Sequence, residues 1–250
     1  MSLTNTKTFT SAAILIAAFF FHSLSFANLK VNFVQGKIES IENTAEDSVS
    51  IRSIKLNELL PYNQLVCTAK GSRAEFGLGE KILRLGSLSV LSVINESSFF
   101  LHSGSMLISF LEKTKVHLSS SESNATFSGS GTILIETTQN GGFKFIPFEG
   151  RGLLQAQDGN VHEVKGGRLV LVLGKPSQLG DAYDLDLMLL LKTCRLINSF
   201  PDPLDTFGRI SLSVYSQELK LKGKYNALIG DAPTDTNLQV WSFDDETQKE

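Results

Sequence analysis

The chain has 250 residues, a formal net charge of -3, 42% hydrophobic and 20% charged residues. That balance excludes general disorder, and the length excludes several large domains, since domains run to about 100–200 residues. No dense basic block is present, which argues against nucleic acid as a partner.

The first 27 residues read as a signal peptide: Lys7 is the lone positive charge ahead of an apolar stretch over 12–21, and the small residues Ser25 and Ala27 flank Phe26 at the cleavage position. That stretch is shorter than the roughly 20 residues needed to cross a bilayer. Cleavage near Ala27 predicts a mature chain beginning at Asn28, with no later run of membrane-spanning length and with a periplasmic or secreted location.

From Val31 to Leu173 the chain breaks into short apolar or alternating runs punctuated by Gly, Ser and Asn, which is the strand signature. Runs are predicted at 31–41, 64–68, 73–78, 82–85, 88–93, 98–102, 105–110, 115–118, 125–127, 132–137, 143–147, 152–157, 161–164 and 168–173. With no long helical pattern between them, the fold class is mostly β: a sandwich or roll of many short strands over 28–175. The 17 Phe outnumber Tyr and Trp and, having no polar handle to satisfy, supply its core.

Beyond Lys175-Pro176 a smaller C-terminal segment is expected over 176–243. Asp184 or Asp186 caps one helix whose apolar face is Leu187, Leu190, Leu191, Cys194 and Ile197, and Pro201 and Pro203 end it. A β-like stretch over 210–215, a charged connector at Lys220, Lys222 and Lys224 and an apolar run over 238–243 follow. Residues 244–250 read as a disordered tail.

Catalytic patterns are missing: no HExxH, P-loop, GxSxG or dinucleotide fingerprint occurs. His102, His117 and His162 each stand alone, without another ligand at metal spacing. The clusters Gly129-Ser130-Gly131 and Gly141-Gly142 read as tight turns, and carboxylate pairs such as Glu136 with Glu149, or Asp181 with Asp184, have no specificity as hydrolase signatures. Cys67 and Cys194 either pair as a disulfide in an oxidising compartment or remain buried free thiols. No catalytic, cofactor or metal residue is assigned.

One ordered set of motifs carries more information. Leu65-Val66-Cys67-Thr68-Ala69-Lys70-Gly71-Ser72-Arg73-Ala74-Glu75-Phe76, followed by Leu83-Arg84-Leu85-Gly86-Ser87-Leu88-Ser89, resembles the FecR family's periplasmic domain. The likeness extends to Val34-Gln35-Gly36-Lys37-Ile38, to Leu101-His102-Ser103-Gly104-Ser105-Met106-Leu107 as a hairpin, to Gly129-Ser130-Gly131-Thr132, and to Phe148-Glu149-Gly150 as a turn. It covers about residues 31–174. Arg73, at a turn entering a strand, reads as solvated or paired with a carboxylate, ahead of ligand binding as the alternative.

The resemblance implies a bacterial envelope or secreted β domain used for contact with a protein or ligand. FecR-type transducers carry a cytoplasmic anti-sigma segment and a membrane helix ahead of this domain, where this chain shows a cleavable signal. The expected function is therefore a non-enzymatic binding or scaffold module of the cell envelope, needing no cofactor, with an envelope protein or glycan as partner. The alternative is an envelope sensor acting through a separate membrane partner, with a polysaccharide-active enzyme third.

Overall fold

The computed structural model describes residues 29–43 and 49–224. The expected signal segment, the apolar run over 238–243 and the polar tail lie outside the described residues. The fold is mostly β, with 16 strands and three helices among the described residues.

The architecture turns on one long strand, β10 (Ser105–Ser119), paired along one edge with β11 (Asn124–Thr137). Its other edge is shared. Met106 to Ser109 pair antiparallel with β7 (Lys81–Leu85), whereas His117 to Ser119 pair parallel with β9 (Ser98–Ser103). The sheet forks there. One limb continues through β6 (Arg73–Leu78), β1 (Leu29–Gln35) and β4 (Leu59–Leu60). The other runs through β8 (Val90–Asn95), β5 (Leu65–Thr68), β2 (Ile38–Asn43) and β3 (Val49–Ser53). Val31, Phe76 and Leu83 from the first limb and Ile38, Val66, Leu91 and Phe99 from the second meet in one apolar core.

A second fork lies on β12 (Phe143–Ala156), which pairs with β11 on one side. On its other side it takes β14 (Arg168–Leu173) at its start and β13 (Val161–Lys165) at its end. The short strands β15 (Gln178–Leu179) and β16 (Tyr183–Asp184) both pair with β14.

Residues 106–110 of β10, 131–135 of β11 and 145–149 of β12 are buried on both faces. Met106, Ile108, Phe110, Ile133, Ile135 and Phe145 point into the core between the limbs. Their neighbours Leu107, Leu134, Ile146 and Phe148 point the other way, into a second cluster with Leu187, Leu196, Ile197, Leu204, Ile210 and Val214. This is why Met106 to Phe110 is a continuous apolar run, the pattern of a strand covered on both sides.

The covering helices are α1 (Leu187–Thr193), α2 (Arg195–Asn198) and α3 (Phe207–Lys224). Asp186 is the N-cap of α1, its carboxylate accepting from the Leu189 amide at 2.9 Å, while Asp184 instead pairs with Arg168. The single helix expected over this region is two, because Cys194 is extended (φ -75, ψ 104). The β-like stretch expected over 210–215 is also corrected: Ile-Ser-Leu-Ser-Val-Tyr alternates, yet the chain is helical there. Only Ile210 and Val214 of that stretch are buried. They are four residues apart, one helical turn, so packing against the sheet selects the helix over the period-two pattern.

Three further corrections share one cause. The predicted runs at 105–110 and 115–118 are one strand, as are 125–127 with 132–137, and 143–147 with 152–157. Exposed Leu111, Glu112 and Lys113 interrupt the first at a register shift, and glycines interrupt the other two. Gly129-Ser130-Gly131 and Phe148-Glu149-Gly150 therefore lie inside strands, with Gly129 opposite Gly152 and Gly131 opposite Gly150; Gly141 sits in the turn between β11 and β12. The resemblance's hairpin at Gly104 is a corner instead, since β9 pairs with the far end of β10.

The bare backbone at Gly152 has a packing reason. A Cβ there would lie 2.5 Å from the Phe127 ring and 2.5 Å from the Ser128 carbonyl oxygen, closer than any van der Waals contact. Gly152→Ala is accordingly expected to cost about 1–3 kcal/mol through overpacking, seen as a lower urea midpoint. An unchanged midpoint would show that Phe127 can move aside.

Candidate functional site

The helical segment is held to the first limb by Arg84 of β7, whose side chain is only 1% exposed. All three guanidinium nitrogens donate. Nε bonds Glu75 Oε2 at 2.8 Å, Nη1 bonds the Leu196 and Ile197 carbonyls at 3.1 and 3.3 Å, and Nη2 bonds the Asp202 carbonyl at 2.6 Å. The guanidinium also lies 4.2 Å over the Phe200 ring, which packs against Phe33. Burial lowers the Arg84 pKa, opposed by the hydrogen bond and charge of Glu75.

A second polar contact pins the start of α3. Ser109 of β10, Thr132 of β11 and Thr206 just before α3 form a triangle of hydroxyls, with oxygens 3.1, 2.8 and 2.6 Å apart. Thr132 Oγ1 is also 3.0 Å from Oε1 of Glu149 on β12. All four side chains are buried. Thr132 Oγ1 donates in the link to Glu149, which ties the carboxylate to the hydroxyl triangle. Burial pushes the Glu149 carboxyl up from its ordinary range, against the hydrogen bond from Thr132 and the charge of Arg209.

Between the helices and the β limbs lies a cleft of about 250 Å³. One wall is made by Gly71, Ser72 and Arg73 at the turn into β6 and by Ser87 after β7; the other includes Cys194 and Arg195 at the start of α2. Glu136 also lines it, ion-paired with Lys144 at 3.2 Å. The turns that carry the resemblance thus form one wall of a cleft whose other wall lies outside residues 31–174.

The residues singled out from the sequence are dispersed. Cys67 on β5 and Cys194 between α1 and α2 are both half-buried free thiols, so the disulfide alternative is not formed. Burial pushes both thiols up, with Glu39 adding to the effect at Cys67. His102 Nε2 lies 3.0 Å from Ser92 Oγ with its ring against Phe100, and burial lowers its pKa. His117 Nδ1 lies 2.9 Å from Thr126 Oγ1, and His162 stands on β13 opposite Leu154. Glu136 and Glu149 are committed to different partners, as is Asp184. Among the described residues no group of three His, Cys, Asp or Glu side chains converges in a way that could hold a metal.

Sequence reasoning did not single out Arg84 or Arg195, and it named Glu149 only within a carboxylate pair of no specificity and a turn motif. The available signal for Arg84 was its place in Leu83-Arg84-Leu85, where all three residues are buried, so the strand does not alternate.

No family model matches the chain, and no curated protein matches it. Among solved structures, two crystal structures of a "putative anti-sigma factor" from Parabacteroides distasonis are similar, each with 8% identity and a TM-score of 0.40. The alignments cover 50% and 52% of this chain and 61% and 64% of those chains, less than two thirds of the solved protein. No helix among the described residues is long and apolar enough to cross a membrane.

Two expectations follow. Arg84→Ala strands the Glu75 carboxylate and three carbonyls, so it is expected to cost about 3–5 kcal/mol, the range for breaking a buried pair, and to raise amide exchange in α2 ahead of the strands. An equal rise across the molecule would contradict the clamp. For Glu149, a folded pKa raised above the unfolded value gives stability that is complete below the unfolded value and falls as pH rises through the folded one. Glu149→Gln should therefore flatten the decline of melting temperature between pH 4 and pH 8, whereas parallel pH profiles for the two proteins would count against a buried, proton-bearing carboxyl.

Proposed function

We propose that this chain is a non-enzymatic, FecR-like binding or scaffold module of the bacterial cell envelope, exported with cleavage near Ala27 and docking an envelope protein or glycan at the cleft between its β limbs and its helices. The observation that carries this reading is the construction of that cleft. Arg84 fixes the helical segment against the very limb whose turns carry the FecR-like motifs, so the Gly71-Ser72-Arg73 turn and Arg195 face one space. Ligand sites favour such junctions between packed units.

Binding suits the chemistry of the walls better than catalysis. Hydroxyls and guanidiniums are donors for recognition, whereas Glu136, the cleft's carboxylate, is half-exposed and ion-paired with Lys144, an arrangement that does not tune a general acid or base. Burial also pushes the Cys194 thiol up, away from the thiolate a nucleophile needs.

Native mass spectrometry of the protein from its own envelope fraction tests this reading. The expected result is an N-terminus at Asn28 and a defined partner mass that Arg195→Glu removes while Lys113→Glu, an exposed change on β10, does not. A chain recovered from the cytoplasm with Met1 intact would overturn the export and envelope assignment.

A further inference from the structure

Two arginines line the cleft, and neither has an acidic partner among the described residues. Arg73 stands at the start of β6, opposite Gln35 of β1, and its Nε is fully buried without a hydrogen-bond acceptor among the described residues. A buried donor left unmade costs about 1–3 kcal/mol and calls for an explanation. Arg195, the first residue of α2, makes no ion pair among the described residues, although it sits on the wall facing the β turns. Arg84, by contrast, spends every guanidinium nitrogen on internal acceptors.

The charge balance of the cleft is positive. Glu136 is its anion, and Lys144 already pairs with it; the Cys194 thiol, raised by burial, adds no negative charge at neutral pH. A second cavity differs on this point: it is formed by a single segment, residues 52–58, and its arginine, Arg52, is held by Glu58.

We propose that the cleft is a carboxylate-binding site in which Arg73 and Arg195 take one anionic group between the β wall and the helical wall. The planar guanidinium fork matches a carboxylate in two parallel hydrogen bonds, and a half-buried Arg73 and an exposed Arg195 both line the same cleft. At about 250 Å³ the cleft is smaller than the roughly 300–1,000 Å³ that encloses a complete drug-sized ligand. It therefore takes a small free carboxylate or a single acidic side chain of a larger partner. This rests on the docking reading above and names the chemistry of its contact.

The experiment is a nitrogen-15 NMR titration of the full chain with sodium acetate, with sodium chloride at equal ionic strength as the control, following the Arg73 and Arg195 Nε–H signals. The expected result is a saturable shift of both signals with acetate and none with chloride, weakened about tenfold or more by Arg73→Gln or Arg195→Gln. Neither arginine holds an acid among the described residues, and an unchanged amide spectrum verifies that each variant is folded. A short peptide bearing one Glu, run beside its Gln counterpart, separates the two sources. Binding of the Glu peptide alone supports a partner's side chain, and binding of acetate without either peptide supports a free small carboxylate. No saturable shift, an equal shift with chloride, or unchanged affinity in the doubly substituted chain overturns the site. A partner mass that still disappears with Arg195→Glu would leave the docking reading standing, so the two failures are told apart.

Discussion

A buried guanidinium is tolerable only where its donors are met, because moving a charge out of water costs several kcal/mol even after relaxation. Arg84 meets that condition by gathering acceptors from two parts of the chain more than 110 residues apart. Glu75 on the neighbouring strand neutralises it, and three carbonyls from α2 and the following turn complete the shell. The Leu196 and Ile197 carbonyls belong to the end of a four-residue helix, where backbone acceptors have no intrahelical donor. Lysine, with three donors on a single ammonium, cannot reach this set of acceptors in one plane. The position of the helical segment depends on that match.

Apolar burial and polar pinning divide the work between them. The cluster of Leu107, Leu134, Ile146 and Phe148 with the helices supplies a non-directional driving force. It keeps the helices on that face without setting their rotation. Direction comes from its margins, where Arg84 orders α2 and the hydroxyl triangle with Glu149 orders the start of α3. Both are buried, and an unmade hydrogen bond there is costly, so a shifted helix is penalised more than it would be by packing alone.

Much of the β module was legible because its signals are local. Arg73–Leu78 and Arg168–Leu173 were read with their observed bounds, since alternating burial and bounding glycines need no knowledge of partners. Asp186 was legible as one of two candidate caps, and the structure selects it over Asp184. The long strands were not, because Glu112, Lys113 and the paired glycines resemble loop residues, and only cross-strand pairing shows that β10 to β12 pass straight through them. The segment Ile210 to Tyr215 was misread where a helix face buried on one stripe happened to alternate. The cleft was half legible. Its β wall coincides with motifs visible in the sequence, whereas Arg195 enters only through the fold, and Arg73, expected to be solvated or paired, has a buried nitrogen with neither.

The clamp and the cleft are thermodynamically joined. Arg84 holds the Leu196 and Ile197 carbonyls of the helix that begins with Arg195, a residue of the cleft. Any group bridging the two walls binds only while α2 is seated, so occupancy stabilises the seated state in proportion to the logarithm of ligand over its dissociation constant. Conversely, whatever loosens Arg84 weakens apparent affinity in the cleft in proportion to the fraction of molecules whose α2 remains seated.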